Sequence, residues 1–225
     1  MKRHPEAYQV WTHIDYQPAV QSFHPTALLD HLSPDDQILD LGCNKGFVSQ
    51  WLAEKGYRVT GLDINPAAIK FARKQTEKAR LTTRLEYFEA DYLDVAHRQG
   101  FRYNAVLMIR LLTCIPGMED WKRTLEQVKS DLLHGGILYV HDFLLAPEHS
   151  VYTNRYQDYL GKGSRYGNFR VLDEQGKLQF VAHHHSQQEL NMIREGYQQL
   201  YYEQHPSSSM NGNPCLMFEY IGKKQ

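Results

Sequence analysis

The stretch D-L-G-C-N-K-G, residues 40–46, decides how this chain folds. It continues an apolar run, I-L-D-L (38–41), and leads into G-F-V-S-Q-W-L-A-E-K (46–55), whose apolar positions recur at helical spacing until Gly56 stops it. A strand that passes through glycines into a helix is the opening of a β-α-β unit. Glycine permits the tight turn and lets a ligand approach the backbone, and amides at a helix N-terminus offer donors to an acceptor group. Outward from this point, P-T-A-L-L-D-H-L (25–32) predicts a short helix stopped by Ser33-Pro34. Y-R-V-T-G-L-D (57–63) is a second strand, and Asn65-Pro66 open a helix over 66–79 with Pro66 in its first turn. L-E-Y-F-E-A (85–90) and Y-N-A-V-L-M-I (103–109) are the third and fourth strands. A helix over about 119–133 follows, and I-L-Y-V-H (137–141) is a fifth strand after a break at Gly135-Gly136. Such alternation implies parallel strands joined by right-handed crossovers: an α/β fold with a doubly wound, mostly parallel sheet.

After residue 145 the pattern changes. F-R-V-L-D-E-Q-G-K-L-Q-F-V-A (169–182) reads as an inserted hairpin turning near Gln175-Gly176. Ser186 and Glu189 form an S-x-x-E capping signature for a helix that Gly196 ends. Y-Q-Q-L-Y-Y-E (197–203) and C-L-M-F-E-Y-I (215–221) are separated by too few residues for a helical crossover, so they predict an antiparallel C-terminal strand pair. The expectation is one domain over 1–225. Within it a lid segment is expected over 1–24, the cofactor-binding core over 36–142, an inserted cover over 146–185, and a closing helix and strands over 186–225.

Composition bounds the function. The chain has 225 residues, 25 Lys plus Arg against 26 Asp plus Glu, and a formal net charge of -1. That balance gives no global reason to seek a phosphate backbone or an anionic membrane, so neither nucleic acid nor membrane is expected as a partner. No apolar run reaches the roughly 20 residues of a membrane span, and the first residues do not read as a secretion signal. Cys43, Cys114 and Cys215 are far apart and form no CxxC pair. They predict neither disulfides nor a cysteine metal site, and they fit a reducing, cytoplasmic compartment.

Two acids give the glycine loop its meaning. Asp63 ends the second strand, where a carboxylate can accept both hydroxyls of a ribose. Asp91, after the third strand, is placed to accept a hydrogen bond from an adenine amine. The plainer reading is that the glycines only turn the chain and both acids cap helices. A dinucleotide site wants G-x-G-x-x-G and a phosphate loop wants G-K-S/T, and the chain has neither arrangement.

With loop, ribose acid and third acid in this order, the chain resembles the class I S-adenosylmethionine-dependent methyltransferases over roughly residues 36–142. The resemblance implies S-adenosyl-L-methionine as cofactor. Its methionine part would fall to Asp40, Gly42, Cys43 and Gly46, its ribose to Asp63, and its adenine to Ile64, Asp91 and Tyr92. Its reactive end would be lined from Met108 to Leu111, Ile109 and Arg110 included. L-L-H-G-G-I-L-Y-V (132–140) also matches the family's run into its fifth strand. Asn44 stands where the family often has a middle glycine, and Asn tolerates the left-handed backbone that the turn needs.

The acceptor side is less determined. His141 ends the fifth strand on the rim where open α/β sheets bind ligands, and His183 lies in the H-H-H tract 183–185. Both are candidate general bases, with a buried structural histidine as the alternative. Two histidines on one strand face do not close a metal site, so no metal is expected. Tyr8, Trp11 and Tyr16 are candidate lid residues. Tyr152 and Tyr156 are candidate walls of an acceptor pocket, or ordinary packing at helical spacing. Without an N-P-P-Y-type motif, and with Arg110 where metal-assisted transfer would want acids, the expected acceptor is a small molecule. Two other readings keep the same cofactor motifs. One is intramolecular cyclisation of the cofactor's side chain to azetidine-2-carboxylate with release of methylthioadenosine; the other is a non-catalytic binding subunit.

Overall fold

The computed structural model describes residues 10–13, 23–95, 102–146, 150–160, 165–209 and 212–225. The first half is β1 Gln37–Leu41, α1 Phe47–Glu54, β2 Arg58–Asp63, α2 Pro66–Ala79, β3 Leu85–Glu89, α3 Tyr92–Val95 and β4 Tyr103–Ile109. The second half is α4 Met118–Asp131, β5 Leu132–Leu144, α5 Ser150–Leu160, β6 Asn168–Leu172, β7 Leu178–His183, α6 Gln187–Arg194, β8 Tyr197–Ser208 and β9 Pro214–Lys224. The seven-stranded sheet runs β3-β2-β1-β4-β5-β9-β8. β1 to β5 pair in parallel, and β9 is antiparallel to both β5 and β8. β6 and β7 form the separate hairpin.

The chain's local chemistry accounts for these elements. Asn65 Oδ1 accepts the Ala68 N–H and Pro66 fills the first turn of α2, which ends on Arg80 in a left-handed conformation. Ser186 and Glu189 close the expected capping box on α6. Strands buried on both faces are apolar at successive positions. Leu39, Val106, Leu138 and Val140 pack under Trp121 and Val128 of α4 and Leu190 of α6. Ile38, Leu107, Ile137 and Tyr139 pack under Leu52 of α1 and Ile69 of α2. A third cluster joins Tyr152 and Tyr156 of α5 to Phe169, Phe180 and Met217.

The short helix expected over 25–32 is present as a 3₁₀ helix, Thr26–His31. Two expectations need correction. β5 starts at Leu132 and passes through Gly135-Gly136 instead of starting after them. Its register against β4 jumps from Tyr103↔Leu132 to Ala105↔Ile137, and Gly135 at φ 76° lets the extra residues bulge out. The closing strands are also longer than their apolar cores, because β8 continues through Pro206 to Ser208. As the outermost strand it tolerates a residue with no N–H to donate.

Tyr87 on β3 is wedged against two glycines. A Cβ at Gly46 would lie 2.1 Å from its hydroxyl oxygen, and one at Gly61 would lie 2.4 Å from its ring. Gly46 also sits at φ 76° as the cap of α1. Gly46→Ala therefore destabilises the fold by about 2–4 kcal/mol through strain and overpacking. Thermal melts of Gly46→Ala with and without Tyr87→Leu test this. The second change restores most of the loss and leaves the left-handed cost of about 1 kcal/mol; no restoration would place the cost elsewhere.

Candidate active site

Reversal of strand order between β1 and β4 opens a crevice at the carboxyl ends of the strands, where the loops after them diverge. A single cavity occupies it, floored by residues 40–44, 62–65 and 109–111 and roofed by α5, the β6–β7 hairpin and Trp11.

The glycine loop is built differently from its expected role. The Gly42 and Cys43 N–H groups both donate to Leu62 O, and the Gly46 N–H donates to Cys43 O. The Asn44 N–H donates to Asp63 Oδ2 and the Lys45 N–H to Asn44 Oδ1. All five amides are satisfied inside the protein, so the loop offers a ligand shape rather than donors. Asn44 does take the left-handed conformation, at φ 50°. Gly42 lines the cavity at φ 76°, where a Cβ would meet Leu111 Cδ1 at 2.8 Å. Gly46 is not in the cavity wall; its absent side chain makes room for Tyr87.

The three acids do face the cavity. Asp63 is held from both sides, since its Oδ1 accepts the Asn65 N–H at 2.9 Å and its Oδ2 the Asn44 N–H at 2.8 Å. Burial pushes its pKa up. Asp40 accepts the Ser49 hydroxyl at 2.5 Å and ties β1 to α1. Burial first, and the nearby Asp63 charge as a smaller cause, push Asp40 up to about 6 against the lowering by Ser49. Asp91 Oδ1 accepts the Leu93 N–H and so caps α3. Capping and facing the cavity are therefore compatible roles. Cys43, Ile64, Tyr92, Ile109 and Arg110 also line the wall. Tyr92 turns its hydroxyl away to Asp131, at 2.7 Å. Arg110 occupies a left-handed backbone at φ 53°, an uncommon conformation for a side chain of its size, and its N–H donates to His141 O.

Neither histidine singled out as a base reaches the cavity. His141 points to the other sheet face, stacked 4.3 Å from Phe23 with its Nε2 3.4 Å from His205 Nε2. Burial pushes it down to about 3. His183 is fully buried between Asn168 Oδ1, 2.8 Å from its Nδ1, and Glu189 Oε2, 3.1 Å from its Nε2. His185 is likewise engaged at both nitrogens, by Phe143 O and by the Trp121 indole N–H. With every nitrogen of His183 and His185 occupied, the pair offers no metal ligand. Among the described residues no group of three His, Cys, Asp or Glu is placed to hold a metal.

The histidine in the cavity wall is His184, which the sequence reading passed over. The signal was present: Phe180, Ala182 and His184 alternate, and all three line the cavity. His184 Nδ1 lies 2.7 Å from the Tyr156 hydroxyl, and its ring stacks 5.1 Å from Phe143. Burial lowers it to about 3, so it is neutral at physiological pH. Tyr152 lines the cavity, whereas Tyr156 stands behind His184. Trp11 lies 4.5 Å from Phe180, and its carbonyl accepts from Asn65 Nδ2. Tyr8 and Tyr16 lie outside the described residues. Phe143, Arg155, Phe169 and Phe180 complete the roof without having been marked by any motif.

These residues fit the cofactor that the sequence resemblance implies. A fixed carboxylate at the tip of β2, two further acids and a side-chain-free Gly42 suit a ligand with a sugar diol and positive charge. The methyltransferase-domain family matches residues 38–136. A solved S-adenosylmethionine-dependent methyltransferase from Methanosarcina mazei is 28% identical, covers 90% of this chain and 98% of its own, and superposes with a TM-score of 0.80. A probable fatty acid methyltransferase of Mycobacterium tuberculosis is 34% identical over 110 residues, 49% of this chain and 25% of its own. A ubiquinone biosynthesis O-methyltransferase of Albidiferax ferrireducens is 30% identical over 90 residues, 39% of this chain and 35% of its own. This chain thus spans a quarter to about a third of those two curated relatives. No helix among the described residues is long and apolar enough to cross a membrane. In fold, loop and acids alike, the chain is similar to the class I S-adenosylmethionine-dependent methyltransferases.

Proposed function

We propose that the protein transfers the methyl group of S-adenosylmethionine to a small molecule held under the aromatic roof. The observation that carries this reading is the continuity of the cavity, from the acids at the tips of the first three strands to Phe143, Tyr152, Phe169 and Phe180. The cofactor supplies a methyl group already activated by a sulfonium. Asp63 orients the ribose, Asp40 and Gly42 shape the methionine end, and Asp91 and Ile64 border the adenine. The roof excludes water, and its aromatic faces favour a cation beside them. Trp11 closes one side as the described part of the lid. The roof sits close over the cofactor floor, which favours a small acceptor over a polymer.

Incubation with S-adenosylmethionine, alone and with pooled small metabolites, tests the reading by mass spectrometry. Alone, the cofactor is expected to stay intact; with the pool, S-adenosylhomocysteine and a product heavier by one methylene appear together. Methylthioadenosine with a cyclised amino acid in the first tube would overturn methyl transfer.

A further inference from the structure

The charged residues of the cavity wall are sorted by sign. Asp40, Asp63 and Asp91 stand at the tips of β1, β2 and β3, while Arg110 and Arg155 stand at the tip of β4 and on α5. We propose that Arg155 anchors the acceptor and that the acceptor is an apolar monocarboxylate. The proposal rests on the methyltransferase reading, which says which end the cofactor takes.

Counting charges separates the two arginines. S-adenosylmethionine carries one carboxylate and two positive groups. Arg110 precedes Leu111, which packs on Gly42, so its backbone adjoins the glycine loop, and its guanidinium lies 5.9 Å from the Phe143 ring. The cofactor's one carboxylate can pair with one of the two guanidiniums, and Arg110 is the one whose backbone adjoins the loop. That leaves Arg155 without an anion. Among the described residues Arg155 makes no ion pair and no hydrogen bond, and its nearest aromatic partner is the Tyr152 ring, 5.8 Å from the guanidinium carbon. It is half-buried in a largely aromatic roof.

A half-buried guanidinium has lost part of its hydration, and a planar carboxylate restores it with two parallel charge-assisted hydrogen bonds. A phosphate dianion would lose far more hydration on entering an aromatic chamber. Phe143, Phe169 and Phe180 give the rest of the acceptor an apolar bed. His184 beside them is neutral, so it neither repels Arg155 nor attracts a competing anion. An amine acceptor would instead meet Arg155 as a like charge.

Calorimetry on the protein loaded with S-adenosylhomocysteine tests this, using phenylacetate and octanoate as carboxylates and phenylacetamide and phenethylamine as neutral and cationic matches. At least one carboxylate is expected to bind at least tenfold more tightly than the amide and the amine. Arg155→Gln is expected to weaken that carboxylate at least tenfold while holding S-adenosylhomocysteine within twofold, with an unchanged melting temperature. Arg155→Lys recovers part of the loss. Equal binding of amine or amide, full carboxylate affinity in Arg155→Gln, or no carboxylate binding at millimolar concentration would overturn the proposal. Failure of the wild type to bind S-adenosylhomocysteine would strike the methyltransferase reading itself, and this inference with it.

Discussion

Replacing Asp63 with Ala lowers the affinity for S-adenosylhomocysteine about a hundredfold. Hydrogen bonds to a charged acceptor contribute about 1.5–3 kcal/mol each, and in the proposed reading two ribose hydroxyls share this carboxylate. A loss of about 3 kcal/mol is roughly two decades in Kd. The carboxylate also fixes the two segments beside it, through the Asn44 and Asn65 N–H groups. Asp63→Asn keeps one acceptor oxygen and falls between the two, about tenfold weaker than wild type. Calorimetry at neutral pH reads both variants, and a melt without ligand reports the cost of loosening the loops. Wild-type affinity in Asp63→Ala would remove this residue from the ribose.

Acid destabilises the protein, with stability falling between pH 6 and pH 4. His141 and His184 are pushed down to about 3, and His183 and His185 are lowered as well, all four chiefly by burial. Unfolded histidines take up protons below about 6.5 while the folded ones do not, so each favours the unfolded chain as pH falls. Three acids act in the opposite sense. Burial raises Asp40 to about 6, Asp142 to about 7 and Asp63 as well, so the folded protein binds these protons first. The four histidines, together with Glu189, held low against burial by His183, outnumber them, so the net sign is a loss of stability in acid. Urea titrations at pH 6, 5 and 4 measure the slope. A flat or rising stability would mean that these histidines are charged in the fold.

Much of the fold was legible because its elements carry their own punctuation. Asn65-Pro66, Gly56 and the Ser186–Glu189 box each mark a boundary that the structure keeps to within a residue. The cavity acids were legible for a related reason: a residue at the carboxyl end of a parallel strand reaches the rim whatever packs around it. His141 and His183 were not, because the end of a strand does not say which face a side chain takes. Parity does. His141 follows Ile137 and Tyr139 onto the face covered by α1, away from the cavity. His184 follows Phe180 and Ala182 onto the face that lines it. Gly46 was misread for a different reason, since the ring that needs its empty space comes from Tyr87, 41 residues away. Arg155 carried no motif and became visible only when α5 placed it over the cavity.

β9 lies between β5 and β8 in the sheet but follows β5 by about seventy residues of chain. While the protein is being made, β1 to β5 can associate as each emerges, yet the outer edge of β5 stays bare until β9 arrives. That edge carries Leu138, Val140 and Leu144 among its buried side chains, and a bare apolar edge is a template for pairing with another chain. The long wait gives the nascent protein a window of vulnerability to aggregation in the half of the sheet under the aromatic roof, while the half bearing Asp40, Asp63 and Asp91 has already paired.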